Sequence, residues 1–325
     1  SDLEDNMGTN LADELTPLNY YTILSDEEPA SVYTNANLRS FRITQPLQIN
    51  MENDSLHMRF YSPVGIKEVT VMAKSPTMDE YVEFVYIDNI PAFADIKTSI
   101  KVLEKGLYRT ESGKVLQFSA EEMNPASLSL KIACNDPYWT KISQIKAKWY
   151  IKFVLNGGNP VTGTPNKNWW GIRPVHCREA VALFLNIGYM CTLEKFQQRV
   201  STFQGTFLDN NRYPVDTSTL ISRLENLSGF DIGLIYSGNG VSGLGGGRTW
   251  GVYQKSFLYH YENSGGCCST IFHELGHCLG YSHNSTMTYG QWASGCADVF
   301  YKNNIKDFPV NSHTILKSRS NPNIY

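Results

Sequence analysis

Thr270-Ile271-Phe272-His273-Glu274-Leu275-Gly276-His277-Cys278-Leu279-Gly280-Tyr281-Ser282-His283 is the stretch that decides how this 325-residue chain is read. His273 and His277 stand four apart, so a helix places both imidazoles on one face, about one turn from each other. Ile271, Leu275, Cys278 and Leu279 fall on the opposite face and are expected to meet a core. Glu274 directly follows the first histidine and points about 100° round the helix. From there its carboxylate reaches a metal-bound water without ligating the metal. Gly280 is expected to end the helix with a positive φ, which glycine adopts at little cost. That turn brings His283 back as a third ligand. Three neutral imidazoles with one open position make a catalytic zinc site, whereas structural zinc sites are closed by four protein ligands. The chain has only seven histidines, so chance is a poor explanation for three of them at this spacing.

The HExxHxxGxxH pattern formed by His273, Glu274, His277, Gly280 and His283 resembles the metzincin clan of zinc endopeptidases. Downstream, Ser285-Thr286-Met287-Thr288-Tyr289-Gly290 resembles that clan's tight methionine turn, with Tyr two residues after Met as in astacin-like and serralysin-like members. The resemblance implies Zn2+ as cofactor, Met287 as an apolar floor, and Tyr289 as a further zinc ligand or an oxyanion donor. It also implies a metalloendopeptidase that hydrolyses peptide bonds through a zinc-bound water activated by Glu274. Two departures stand out. His283 is followed by Asn284, and only three residues separate His283 from Met287, fewer than in astacins, adamalysins or matrixins. Gly243-Leu244-Gly245-Gly246-Gly247 precedes the strand-like Thr249-Trp250-Gly251-Val252-Tyr253. No helix follows it, which argues against a phosphate cradle. By resemblance it is the edge strand that holds an extended substrate, glycine allowing close backbone approach. A plain surface loop is the alternative.

Working outward, Asn156 to Asn166 is rich in Gly, Pro, Asn and Thr and reads as a linker. Before it, Phe41–Ile43, His57–Tyr61, Lys67–Met72, Tyr81–Ile87, Ser127–Ile132 and Ile145–Val154 alternate or run apolar. Short strands at such spacing predict an antiparallel sandwich. Within it the sequence also allows a few helical turns, for example over Ile96–Lys105. Beyond the linker, Thr192–Val200 and Ser218–Leu227 read as helices, with Thr192 as N-cap of the first. Phe230–Tyr236 and Thr249–Tyr253 read as strands. The expected fold class is α+β, an N-terminal antiparallel β-sandwich followed by a metzincin-like α/β zinc-peptidase domain. The expected divisions are an arm over 1–40, a sandwich accessory domain over 41–156, a linker over 157–168 and a catalytic domain over 169–325.

Net charge is −3, which gives no basic footprint for nucleic acid. No apolar run approaches the roughly 20 residues of a membrane span; Ala180–Ile187 is the most apolar stretch. The chain starts at Ser1 without an apolar signal region. Together with its many Tyr, Asn and Ser, this reads as a mature secreted or cell-surface protein with its signal removed. The expected partner is a protein or peptide substrate, glycoproteins included, and a monomer is expected. Seven cysteines leave at least one outside any internal pairing, and structural roles are expected for them. Adjacent His176 and Cys177 are expected to be structural too, while a second-sphere or substrate role is weighed for His260. If the N-terminal region is a prosegment, Asp2, Asp5, Asp13 or Asp26 could occupy the open zinc position. Two competing readings remain. One is a binding or adhesion protein on the same scaffold without activity, against which the intact Glu274 argues. The other is a zinc hydrolase acting on glycoproteins or other amides.

Overall fold

The computed structural model describes residues 19–33, 35, 38–154, 157–262, 267–312, 315, 324 and 325. At Ala30, Tyr33, Cys267 and Cys268 only the backbone is described. The fold is mixed α and β with several antiparallel sheets, an α+β arrangement. The chain forms two compact units. One takes the described residues up to Ile23 together with Pro46–Thr140, and the other takes Leu24–Gln45 and Lys141–Tyr325.

In the N-terminal unit, alternation does what period-2 patterning predicts. Along Ser55–Phe60, Leu56, Met58 and Phe60 are buried while Ser55, His57 and Arg59 are only partly covered. This strand lies in a four-stranded antiparallel sheet ordered Tyr21–Thr22, Ala94–Ser99, Ser55–Phe60, Leu47–Glu52. A second antiparallel sheet runs Ser129–Cys134, Ile66–Lys74, Val82–Ile90. Buried residues of both sheets, among them Met58, Ile96, Val71 and Phe84, belong to one hydrophobic cluster. The helical turns that the sequence allows over Ile96–Lys105 do not form. Ala94–Ser99 is a strand, with Ile96 opposite Met58. Ile96 and Ile100, four apart, mimic a helical face, but cross-strand partners decide the outcome.

The C-terminal unit is built on a sheet ordered Gly243–Gly246, Thr249–Tyr253, Gly229–Ile235, Tyr150–Phe153, Ser40–Arg42. The three central strands are parallel, and both outer strands are antiparallel to their neighbours. This corrects the expected boundaries. Strand Ser40–Arg42, which straddles the expected arm and sandwich, pairs with Tyr150–Phe153, assigned to the sandwich, and Tyr150–Phe153 also pairs with Gly229–Ile235. A short apolar run does not encode which distant strand it will join. Residues 157–168 also belong to this unit rather than linking two; Asn159 Oδ1 accepts from the Val161 and Thr162 amides at 2.8 and 3.1 Å.

Helix Pro174–Met190 was not expected as a helix. All seventeen of its residues are buried, so it shows no amphipathic period from which to infer it. Thr192 is not an N-cap: helix Glu194–Ser201 starts after Leu193, and the Thr192 hydroxyl donates to the Tyr189 carbonyl at 2.6 Å. Helix Thr217–Glu225 is capped by Asp216, which accepts from the Ser218 amide at 3.0 Å. No described helix is long and apolar enough to cross a membrane.

Candidate metal centre

Helix Cys267–Cys278 carries His273, Glu274 and His277. Its core face, Ile271, Phe272 and Leu275, is buried. Two buried tryptophans fix it further. The Trp250 indole donates to the Ile271 carbonyl at 3.2 Å and the Trp292 indole to the Phe272 carbonyl at 3.1 Å. After the helix, Gly280 takes φ +95°, as expected, and its amide donates to the His277 carbonyl at 2.9 Å. The chain then reverses and brings His283 back to the helix.

One ring nitrogen each of His273, His277 and His283 could ligate a metal, and the three lie within 4.8 Å of one another. The Nδ1 atoms of His273 and His277 face the carbonyl oxygens of Thr288 and Tyr281, the second at 2.7 Å. Those acceptors require N–H at Nδ1 and leave a lone pair on each Nε2. The two Nε2 atoms stand 3.1 Å apart. Two lone pairs at that separation repel unless a cation lies between them. Tetrahedral zinc with bonds of ~2.0–2.1 Å requires nitrogens roughly 3.3 Å apart. The His273–His277 pair is close to that spacing, and with a His283 nitrogen within 4.8 Å of both these three side chains could hold such an ion. Burial pulls the affinities of His273 and His277 for a proton below the ordinary imidazole value, which favours the neutral, ligating form.

Glu274 is 3% exposed, and its Oε2 has no hydrogen-bond partner among the described residues. Its Oε1 lies 3.9 Å from His273 Nε2. Burial pushes its carboxyl up to about 7. The glycine-rich segment explains how it fits. Gly243–Gly246 is an edge strand, paired antiparallel to Thr249–Tyr253. A Cβ at Gly245 would meet Glu274 Oε2 at 2.5 Å, and one at Gly243 would strike Oε1. Glycine at both positions leaves room for the carboxylate beside the strand. A cavity of about 590 Å³ opens here, lined by the strand, the three histidines, Glu274, Tyr289 and the small residues Thr270, Ala293 and Ser294.

The short link from His283 still brings the methionine turn to the helix. Met287 is fully buried, and its carbonyl passes so close to Gly276 that a Cβ there would lie 2.5 Å from it. Thr288 supplies the carbonyl that holds His273. Tyr289 is 53% exposed, with its ring 5.0 Å from that of His273 and 5.2 Å from that of His283.

Other residues singled out in the sequence lie elsewhere. His260 is fully buried, facing Tyr301 Oη at 2.8 Å and Glu179 Oε2 at 3.2 Å. His176 and Cys177 do not pair. His176 contacts Gln254 and the Arg173 amide, and Cys177 receives a hydrogen bond from Arg39. Burial pushes the Cys177 thiol up to about 11, so it is inert. Cys134, Cys177, Cys191, Cys278 and Cys296 are free thiols. Asp26 is paired with Arg178 at 2.9 Å. Asp2, Asp5, Asp13 and the side chains of Cys267 and Cys268 lie outside the described residues. Sequence reasoning missed the two indole clamps and the hairpin 206–213. The strand reading of Thr249–Tyr253 does not give the partner of the Trp250 indole, Trp292 and Asn210 belong to no pattern, and only the folded chain brings the tryptophans to the helix and Asn210 to the turn after it. Set against known proteins, the chain matches no family model, no curated protein and no solved structure.

Proposed function

We propose that this protein is a zinc-dependent endopeptidase of metzincin type, with His273, His277 and His283 as metal ligands and Glu274 as general base. The observation that carries this reading is the pairing of two features. Three imidazoles converge beside a buried carboxylate, and that carboxylate lies against an edge strand of nearly bare backbone. Zinc, if bound by these three histidines, would supply Lewis-acid chemistry to a carbonyl and to water. Glu274, raised to about 7, would accept a proton from a water near neutrality and pass it to the leaving amine. The unpaired side of Gly243–Gly246 receives an extended peptide by main-chain hydrogen bonds. In this reading the Tyr289 phenol, whose exposed ring lies beside those of His273 and His283, donates to a developing oxyanion. The two antiparallel sheets sharing one core support reading the N-terminal unit as an accessory β-sandwich.

The test is Glu274→Gln with metal analysis. Peptide hydrolysis falls by about 10²–10⁴-fold while zinc remains bound at wild-type stoichiometry. Full activity in that variant, or activity in wild type that survives complete chelation, overturns the proposal.

A further inference from the structure

His283 differs from the other two candidate ligands in how it is held. The rings of His273 and His277 are each fixed by a carbonyl at Nδ1. The His283 ring is exposed and makes no hydrogen bond among the described residues; its recorded neighbours are the rings of His273, His277 and Tyr289. Its position therefore depends on its backbone. That backbone lies in a turn that three residues join to Met287, where the Ser282 carbonyl accepts from the Ser285 amide at 3.1 Å and from Thr288 Oγ1 at 2.9 Å.

A separate hairpin grips this turn from both ends. Asn210 uses its whole carboxamide: Nδ2 donates to the Gly280 carbonyl at 3.1 Å, and Oδ1 accepts from the Ser282 amide at 2.7 Å. Arg212 Nη1 donates to the Asn284 carbonyl at 2.9 Å. His283 thus stands between residues tied on each side. Behind it, the Leu208 amide donates to Thr286 Oγ1 at 2.7 Å, and the Leu208 carbonyl accepts from Ser285 Oγ at 2.6 Å and from the Thr286 amide at 3.1 Å.

The hairpin is rigid enough to serve as a clamp. Leu208 bridges Pro214, and Asp209 Oδ1 accepts from the amides of Asn211 and Tyr213 at 2.9 and 3.0 Å. Its root is Phe207, fully buried, stacked on Phe203 at 4.8 Å and edge-on to Trp292 at 5.9 Å. At the tip, Arg212 takes φ +66°, a left-handed conformation that a side chain other than glycine adopts at a cost.

We propose that hairpin 206–213 is the positioning element of the third metal ligand, with Asn210 and Arg212 setting the place of His283 through its backbone. This rests on the metal-centre reading above, and it gives Asn210 and Arg212 a role toward the metal rather than toward substrate.

The experiment measures zinc affinity of the full chain by competition with a chromogenic chelator, together with the visible absorption of the Co2+-loaded protein. Wild type, Asn210→Ala, Arg212→Ala and Arg212→Lys are compared, with His283→Ala as the reference for a lost ligand. The expected result is a zinc Kd raised by about 10–100-fold in Asn210→Ala. Its Co2+ spectrum shifts toward that of His283→Ala, and Arg212→Lys recovers part of what Arg212→Ala loses. The gain in melting temperature on adding zinc shrinks, whereas a merely structural role lowers the melting temperature with and without zinc alike. Should Asn210→Ala fail to fold, Asn210→Asp keeps the acceptor for Ser282, loses the donor to Gly280, and carries the same expectation at smaller size. Wild-type zinc affinity and an unchanged Co2+ spectrum in these variants overturn the clamp and leave the metal centre standing. Absence of zinc binding in the wild type overturns both.

Discussion

The two units bury very different chemistry. In the N-terminal unit, the buried polar side chains are the hydroxyls of Ser62, Ser75 and Thr110. In the C-terminal unit, Arg39, His176, Arg178, Glu179, His260, Glu274 and Asp298 are all buried. Burying a charge-bearing group is costly unless it finds a partner. Most of these have one: Arg178 pairs with Asp26, and His260 with Glu179 and Tyr301. Glu274 keeps one carboxylate oxygen with no hydrogen-bond partner among the described residues, beside three histidines. The N-terminal unit is organised for packing, whereas the C-terminal unit buries ionisable groups beside the candidate metal centre. If that centre works as proposed, substitutions in the C-terminal unit change function and those in the N-terminal core change only folding.

The sharpest way to break the contrast is Gly245→Val. Its side chain has to displace Glu274 Oε2. Hydrolysis should fall by about 10²–10⁴-fold, as for loss of the base itself, with zinc content unchanged by metal analysis. A variant of normal activity would dissociate the glycine strand from the base. Next comes Phe84→Ala in the N-terminal core, where the ring is fully buried. It should cost about 3–5 kcal/mol in urea unfolding, while zinc affinity stays at the wild-type value. A fall in zinc affinity would remove the distinction between the units.

A smaller effect concerns acid. Burial lowers His176 to about 3. The neutral ring is satisfied by the Arg173 amide at 3.1 Å and Gln254 at 2.9 Å. Above the unfolded pKa of about 6.5 both states are neutral and the residue is silent. Below it the unfolded chain binds a proton that the folded chain refuses, so stability falls as pH falls toward 3. The loss from this residue is roughly 2 kcal/mol between pH 7 and 5. Comparing the pH dependence of unfolding in wild type and His176→Gln checks it: the variant should show the shallower slope. The smallest effect is expected from Lys131→Ala, which breaks a half-exposed ion pair with Glu111 in the N-terminal unit. Below about 1 kcal/mol should be lost, less in high salt.

How far the sequence could be read follows the same division of labour. Elements set by local rules were legible. The His273 to His283 spacing, the Gly280 turn and the strand Thr249–Tyr253 are where patterning places them. Elements set by distant partners were not. Tyr150–Phe153 reads as another sandwich strand until Gly229–Ile235 claims it. Pro174–Met190 hides because total burial erases its period. At the candidate centre, the three clustered histidines and the buried Glu274 were visible by type and spacing. Those that hold them, Asn210, Arg212, Trp250 and Trp292, were invisible because their partners are backbone carbonyls and amides, which every sequence has.

The interleaving of the units along the chain has a consequence for biosynthesis. Strand Ser40–Arg42 leaves the ribosome early, but its partner Tyr150–Phe153 follows only after the whole segment Pro46–Thr140. The antiparallel segment between them has its own partners at once and can close as it emerges. The central sheet has to wait, and its parallel strand Thr249–Tyr253 comes later still. Nascent chains arrested near residue 170 should therefore already protect Pro46–Thr140 from protease while leaving Leu24–Gln45 open to it. Metal capture would then be the last step of maturation, since every candidate ligand lies beyond residue 270 and none can be grouped before the sheet beneath the helix is complete.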